Sequence, residues 1–239
     1  MLEEKTVKTI KSIYIELSNI CNYAQIHARC PLNGMMEKTA IKTTVVKKIL
    51  DELSAVEYSG IINFHNYNEP MIDPRLFYIT SYAKSICKKA TIRILTNGFY
   101  LTQEIIDELK IYGIDRIDIS LYSKQEKERL KKIQFNAIEY NFLDNCIHSL
   151  DDRLNIYTKN IKICTLPCYS LSKEIIVRYT GEVVLCCLDW KSKYIFGNLE
   201  FATLQDIFDK HDVIEIQNSL SRGNRILEIC KRCDWQRGI

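Results

Sequence analysis

Cysteine and histidine side chains lie close together in one short segment near the start of the chain. Eight residues separate Cys21 from Cys30, and His27 precedes Cys30 with two residues between them. Thiolates bind zinc and iron–sulfur clusters, and an imidazole can replace a thiolate as a ligand. The apolar, β-branched run at residues 13–15 leads directly into this segment. We therefore expect a metal-binding loop at the carboxyl end of a first strand, holding an iron–sulfur cluster.

The other cysteines are concentrated toward the opposite end of the sequence. This second group comprises Cys164, Cys168, Cys186, Cys187, Cys230 and Cys233. The chain contains ten cysteines and begins without a signal-peptide pattern, a combination that favours metal ligands over disulfides. Cys87 and Cys146 stand alone at apolar positions of helical patterns, where we expect core thiols.

Composition limits the class of protein. With 239 residues, 46% of them hydrophobic, the chain can bury a sizeable core. A net charge of +3 is too small to indicate a nucleic-acid or membrane partner. No apolar run reaches the roughly 18 residues that a membrane-spanning helix needs. We expect a cytoplasmic protein that binds neither nucleic acid nor membrane.

The elements that must position these residues alternate between strands and helices. Strands are predicted at residues 13–18, 61–64, 91–95, 116–121 and 154–163. Helices are predicted at residues 42–56, 74–88, 102–112, 124–132 and 135–149. This alternation predicts an α/β fold with a parallel sheet, and the number of units predicts an open, partial (β/α) barrel.

Polar motifs follow three further predicted strands. They are Asn68-Glu69-Pro70, Thr96-Asn97-Gly98 and Ser120-Leu121. The carboxyl ends of parallel strands meet at one edge of the sheet, where ligands bind in such folds. The cysteine loop and these motifs are therefore expected to share one site.

The pattern changes after residue 163. Residues 174–179 and 182–185 read as a hairpin with its turn at Thr180-Gly181. Gly197-Asn198-Leu199 reads as a further turn, and a helix is predicted from Thr203. So short a segment has little core of its own, and metal binding would supply folding free energy there. We expect a partial barrel at residues 1–163 and a small cysteine-rich hairpin-plus-helix subdomain at residues 164–239.

Together these motifs resemble a radical S-adenosylmethionine (SAM) enzyme. The cysteine loop is similar in position to that family's cluster loop, and Asn68-Glu69-Pro70 resembles its Gly-Glu-Pro turn, which contacts the amino group of SAM. Thr96-Asn97-Gly98 resembles a turn of the subgroup with C-terminal clusters, and Ile119-Ser120-Leu121 resembles its fourth strand end, where the hydroxyl lies near SAM. The cofactor-binding residues that the resemblance implies are Asn68, Glu69, Pro70, Asn97 and Ser120.

The C-terminal cysteines resemble the auxiliary-cluster domain called twitch, a relative of the SPASM domain. Its pattern is a Cys, a variable gap, Gly-x4-Cys, and a late Cys-x2-Cys. The resemblance implies a second [4Fe–4S] cluster on Cys168, Cys186, Cys230 and Cys233. Cys164 and Cys187 remain as substitutes in that site, and a structural zinc site is the alternative.

The first cysteine loop departs from the family pattern of Cys-x3-Cys-x2-Cys, because Gln25 stands where the second Cys would be. Either His27 is the third ligand, or it caps the loop and another residue, a water or nothing completes the site. Arg29 occupies the position of the usual aromatic residue, and stacking on adenine would then fall to Arg29 or to another residue.

The resemblance implies a function as well as a fold. The implied enzyme cleaves SAM to a 5′-deoxyadenosyl radical and abstracts hydrogen from a small-molecule or peptide substrate. The auxiliary cluster would assist a net oxidation, as in the aminocyclitol dehydrogenases that the chain resembles. An external one-electron donor such as flavodoxin or ferredoxin is implied as a partner. The alternatives are a peptide-modifying maturase and an iron–sulfur binding partner protein that has lost SAM cleavage.

Overall fold

The computed structural model describes residues 7–25, 30–33, 35–135, 138–143 and 164–233. Its strands are β1 (Ser12–Ile15), β2 (Ile61–Asn63), β3 (Thr91–Thr96), β4 (Arg116–Ser120), β5 (Glu139–Leu143), β6 (Glu174–Val177), β7 (Glu182–Val184) and β8 (Ile195–Asn198). Its helices are α1 (Thr43–Ala55), α2 (Leu76–Ile86), α3 (Gln103–Ile111), α4 (Lys124–Leu130), α5 (Ser170–Lys173), α6 (Leu204–Phe208), α7 (His211–Ser221) and α8 (Glu228–Lys231). Short 3₁₀ turns cover Val7–Thr9 and Pro70–Ile72.

The strands form an eight-stranded sheet in the order β5-β4-β3-β2-β1-β6-β7-β8. Pairing is parallel from β5 through β6 and antiparallel from β6 to β8. The carboxyl ends of the parallel strands therefore lie along one edge, as in other α/β proteins. This architecture confirms the predicted fold class, a partial parallel barrel followed by a cysteine-rich hairpin with helices.

The two faces of the parallel strands differ in chemistry. One face is aliphatic and belongs to the same core as the apolar sides of the helices. It comprises Ile13, Ile15, Ile92, Ile94, Ile117 and Ile119, all fully buried. The other face is polar: the Arg93 guanidinium donates to the Tyr14 hydroxyl at 3.0 Å and to Asp118 at 3.1 Å. Strand alternation separates these two sets, so the polar face continues into the loops at the carboxyl edge.

Capping residues mark the ends of two helices. The Thr102 hydroxyl accepts from the Ile105 N–H at the start of α3, and Gly113 follows its end with φ of +87°. The Thr203 side chain and Asp206 form a capping box on α6. No described helix is long and apolar enough to cross a bilayer.

Two predicted elements were wrong. Residues 139–143, predicted within a helix, form β5, which pairs with β4 from Arg116 opposite Glu139 to Ser120 opposite Leu143. Tertiary pairing overrides a weak helical pattern there. Residues 197–198, predicted as a turn, belong to β8. The strand predicted at residues 154–163 lies outside the described residues.

The segment after residue 163 joins the rest of the molecule through sheet and core. Strand β6 pairs with β1 over four residues, and apolar side chains of α6 lie in the same core as those of α1. Lys48 of α1 donates to the carbonyls of Leu199 and Ala202 at 3.0 and 2.7 Å. The carboxylate of Glu52 accepts from the Leu204 N–H at 2.7 Å. This segment therefore obtains much of its burial from the barrel.

Candidate active site and auxiliary metal centre

Glu69 links the carboxyl ends of β2 and β3 through hydrogen bonds. It is 2% exposed, and its carboxylate accepts from the Thr96 hydroxyl at 2.7 Å and from the N–H groups of Asn97 and Met71 at 2.8 and 3.1 Å. Burial raises the pKa of Glu69, and these three donors oppose the shift. The Glu69 N–H donates to the Ile20 carbonyl at 2.9 Å, which ties this turn to the cysteine loop.

Cys21 lies beside the end of β3. The Asn97 side-chain nitrogen lies 4.0 Å from the Cys21 sulfur and donates to the Asn22 side-chain oxygen at 2.7 Å. The Tyr23 N–H donates to the same sulfur at 3.4 Å. Burial raises the pKa of the Cys21 thiol to about 11. N–H groups directed at a sulfur favour its thiolate, which is the form that binds metal.

Cys30 approaches Cys21 from the other end of the loop. Each thiol is partly exposed, and the Cys30 thiolate contributes to raising the pKa of Cys21. The pKa of Cys30 is itself raised by burial, with a further contribution from the Glu16 carboxylate. Two adjacent thiols with donors nearby fit part of an iron–sulfur site. His27 and Arg29 lie outside the described residues, so their roles stay predictions.

The remaining predicted cofactor residues lie at the same edge. Asn68 is buried, and its carbonyl accepts from Nδ1 of His65 at 2.9 Å. Pro70 is buried and begins the 3₁₀ turn that follows Glu69. Ser120 ends β4 with 7% exposure. The sheet thus brings Cys21, Glu69, Asn97 and Ser120 to neighbouring strand ends.

His65 is a half-buried base at this edge. Burial and, to a smaller extent, the Arg93 charge together lower its pKa to about 4, which favours the neutral ring. Because the Asn68 carbonyl can only accept, Nδ1 carries a proton.

An aromatic cluster anchors the cysteine loop, and sequence reasoning missed it. The Tyr23 ring contacts Phe99 and Tyr122 edge to face, with centroids 6.1 and 5.3 Å apart. The Tyr23 hydroxyl donates to Glu126 of α4. The only sequence signal was that each aromatic residue lies two or three positions after a strand end or a cysteine.

The four predicted auxiliary ligands surround one cavity. This cavity is lined by the four cysteines Cys168, Cys186, Cys230 and Cys233 together with Leu171, Leu185, Leu188, Leu220, Ile229, Ser170 and Arg225. The cysteines come from the loop before α5, the loop after β7, and α8 with the residues after it. These separate elements therefore bring the four thiols to one mostly apolar cavity.

Burial dominates the electrostatics of the auxiliary cavity. It raises the pKa of Cys230 to about 12, with further contributions from Cys168 and Cys233. The guanidinium of Arg225, which is 4% exposed, opposes this shift. Burial likewise raises the pKa of Cys186 well above its ordinary value. A buried cation beside four thiols favours an anionic metal–thiolate group.

The four cysteines supply a complete ligand set for either of two metal groups. A zinc ion would bring its thiolates within about 3.8 Å of one another, given Zn–S bonds of about 2.3 Å, whereas a cluster binds each thiolate through a different iron. Among the residues that the structure describes, no group of three or more His, Cys, Asp or Glu side chains is arranged to hold a single metal ion.

The other cysteines lie at distinct positions. The Cys164 N–H donates to the Lys231 carbonyl at 3.1 Å, so Cys164 lies beside α8. Cys187 is partly buried next to Cys186. Cys87 is buried, and its thiol lies 3.4 Å from the Leu50 carbonyl, which confirms the predicted core thiol. Cys146 lies outside the described residues.

Comparison with protein-family models gave two matches. Residues 18–158 match the radical SAM superfamily, and residues 168–234 match SPASM, an iron–sulfur cluster-binding domain. The first match covers the cysteine loop and strands β2 to β5, and the second covers the cysteines of the auxiliary cavity and favours an iron–sulfur cluster over the zinc alternative there.

Curated relatives are distant in sequence. The S-adenosyl-L-methionine-dependent 2-deoxy-scyllo-inosamine dehydrogenase of Niallia circulans is 23% identical over 234 residues, covering 95% of this chain and 94% of the relative. The AdoMet-dependent heme synthase of Methanosarcina barkeri is 28% identical over 108 residues, covering 44% of this chain and 29% of the relative.

Solved structures share the fold. The crystal structure of BtrN in complex with AdoMet and 2-DOIA superposes with a TM-score of 0.80 at 21% identity, covering 94% of this chain and 93% of that one. Native anSMEcpe with bound AdoMet superposes with a TM-score of 0.63 at 13% identity, covering 94% and 86%.

Proposed function

Because the chain belongs to the radical SAM superfamily, we propose that it is an oxidoreductase that converts a hydroxyl group of a small-molecule substrate into a ketone. Its cofactors are [4Fe–4S] clusters and SAM. The observation that carries the proposal is the cavity lined by four cysteines, which lies in the segment whose strand β6 pairs with β1 of the parallel sheet. A site without an open metal position suits electron transfer. The relative named as a dehydrogenase, matched over 95% of this chain, supports the same reaction class.

The proposed primary site combines the cysteine loop with the strand ends. Cys21, Cys30 and His27 would hold the first cluster and leave one iron open for SAM. Asn68, Glu69, Pro70, Asn97 and Ser120 would bind SAM, with Arg29 on the adenine ring. Two domains, residues 1–163 and 164–239, would carry the two clusters.

When bound, the first cluster and SAM would supply a radical able to take a hydrogen atom from the carbinol carbon, and the auxiliary cluster would supply an acceptor for the second electron, with the hydroxyl proton released to water. The chain's own residues prepare this site. Glu69 accepts three hydrogen bonds and so fixes the ends of β2 and β3. Cys168, Cys186, Cys230 and Cys233 would hold the auxiliary cluster among the aliphatic side chains that line the same cavity.

The proposed reaction needs partners that the chain does not contain. An external one-electron donor, flavodoxin or ferredoxin, would reduce the first cluster. We propose a cytoplasmic location, because the six cysteines proposed as cluster ligands must stay reduced to bind metal.

Anaerobic reconstitution with iron and sulfide tests the proposal. The protein should then hold about eight irons and about eight sulfides. Addition of SAM and a chemical reductant should yield 5′-deoxyadenosine, and a panel of aminocyclitols should include one that yields a ketone. Cys21→Ala provides the matched inactive control. Zinc without sulfide, or no 5′-deoxyadenosine, would overturn the proposal, whereas peptide substrates modified in place of cyclitols would identify a maturase.

A further inference from the structure

A buried ion pair joins the two halves of the sheet. Glu16 follows β1 and is fully buried, and Arg178 follows β6 with 3% exposure. The Arg178 Nε donates to the Glu16 carboxylate at 2.6 Å. Burying both charges costs several kcal/mol per ion unless every charge is also hydrogen-bonded. The desolvation of this pair at the carboxyl edge therefore has to be offset by further hydrogen bonds.

Further donors complete the surroundings of Glu16. The Tyr67 N–H donates to one carboxylate oxygen at 3.1 Å, and the Tyr179 N–H donates to the other at 3.4 Å. The Arg178 guanidinium also lies over the Tyr67 ring, 5.4 Å from its centroid. The three side chains Glu16, Arg178 and Tyr67 therefore form one connected network, called the buried bridge below.

One end of the buried bridge holds the auxiliary loop. The Tyr67 hydroxyl donates to the carbonyl of Cys187, the residue after the proposed ligand Cys186. The Arg178 Nη1 donates to the carbonyl of Trp190 at 3.1 Å. Within the same loop the Asp189 N–H donates to the Cys186 carbonyl at 3.0 Å and closes a turn. The loop is thus fixed at both ends.

The other end reaches the primary site. Tyr67 directly precedes Asn68 and Glu69, the turn proposed to bind SAM. The buried bridge therefore runs from the turn proposed to bind SAM to the loop that follows a proposed ligand of the auxiliary site.

We propose that the buried bridge, with Tyr67 as its key positioning residue, holds the auxiliary-cluster loop at a fixed place relative to the SAM turn, so that each hydrogen abstraction is followed by oxidation of the same substrate molecule. The proposal rests on the proposed function. Packing alone does not require charge here, since apolar residues of similar volume often stabilise a core as well as a buried ion pair. A directional network specifies position, and displacements of about 1 Å can matter at reaction centres.

Tyr67→Phe tests this role with a matched control. Tyr58 is buried, with 1% exposure, and like the half-buried Tyr67 its hydroxyl donates to a backbone carbonyl, that of Ile61, at 3.3 Å. Tyr58→Phe removes the same group far from the auxiliary loop. A general loss of stability should appear in both variants, whereas a loss of positioning should appear only in Tyr67→Phe.

Two measurements distinguish the variants. The first is 5′-deoxyadenosine formed per ketone, which Tyr67→Phe should raise roughly fivefold or more while Tyr58→Phe leaves it at the parental value. The second needs no turnover: hydrogen exchange at the Asp189 amide and chelator removal of auxiliary iron should both accelerate roughly fivefold in Tyr67→Phe alone. Equal values in the two variants would overturn the proposal.

Failure of the proposed function would look different. Parental protein that cleaves SAM but gives no ketone from any cyclitol would refute the dehydrogenase reaction, and the exchange and chelation measurements would still decide the bridge. Arg178→Lys provides a second variant that keeps the charge but removes the planar donor set. It should accelerate exchange at Asp189 as Tyr67→Phe does, and unchanged exchange would contradict the bridge.

Discussion

The two proposed metal sites differ in how the fold prepares them. The auxiliary cavity has four thiols and an aliphatic lining, and its ligands come from elements that pack into the common core. The primary site has two partly exposed thiols beside a polar edge of amide, carboxylate and hydroxyl groups. A site with all its protein ligands suits electron storage, whereas an incomplete ligand set at a polar edge suits substrate and cofactor binding.

The two sites differ in what they require of the fold. A cavity lined by thiols and leucines requires only that several secondary-structure elements meet at one place. Binding a polar cofactor needs donors and acceptors held at strand ends, as Glu69 is held by three hydrogen bonds. The buried bridge lies between these two kinds of site.

Removal of a primary ligand should give the largest effect. Cys21→Ala should lower 5′-deoxyadenosine formation at least about 100-fold, because the cluster that cleaves SAM loses a thiolate. Iron should fall from about eight to about four per chain, and the auxiliary cluster should keep its electron paramagnetic resonance spectrum. Cys87→Ala, in the core, should keep both clusters. Loss of both clusters in Cys21→Ala would show that the sites are not separable.

Removal of auxiliary ligands should separate SAM cleavage from oxidation. The variant with Cys230→Ala and Cys233→Ala should still produce 5′-deoxyadenosine but lose ketone formation at least about tenfold, and residues after 163 should become sensitive to protease. Mass spectrometry of the fragments and iron analysis measure both effects. Retention of full iron content and protease resistance would contradict the ligand assignment.

Sequence reasoning reached the fold because apolar runs and helical patterns are local signals, and such runs predicted β1 to β4. The family resemblance singled out Cys168, Cys186, Cys230 and Cys233, and the structure brings these four cysteines to one cavity, while their role as ligands stays a prediction. Gly181, with φ of +83°, makes the hairpin turn that brings β7 back along β6.

What sequence reasoning missed depends on contacts between distant residues. The partner of Glu16 is 162 positions away, and the partner of Tyr67 is 120 positions away. A charged residue at the end of a buried strand was the only signal for that pair. Strand β5 was missed because its pairing with β4, not its own pattern, determines its conformation.

His27 offers a finer test of the incomplete primary site. His27→Ala should weaken retention of the first cluster roughly 10- to 100-fold, and His27→Cys should retain a cluster of lower potential, because a thiolate adds negative charge where imidazole is neutral. Pulsed electron paramagnetic resonance should show imidazole nitrogen coupling in the parental protein. If that coupling is absent and His27→Ala cleaves SAM at the parental rate, the third donor lies elsewhere.

The smallest expected effect is a pH dependence of stability that comes from His65 at the polar edge. The pKa of His65 is lowered from 6.5 to about 4, so between these values the folded state binds fewer protons than the unfolded state. Stability should therefore fall as pH is lowered from about 6.5 to about 4, by roughly 2–3 kcal/mol from this group. Urea midpoints of the metal-free protein should show this slope, and His65→Gln should reduce it. The exposed His211, changed to Gln, is the matched control and should leave the slope as it is. A parental slope in His65→Gln would show that other groups cause the acid sensitivity.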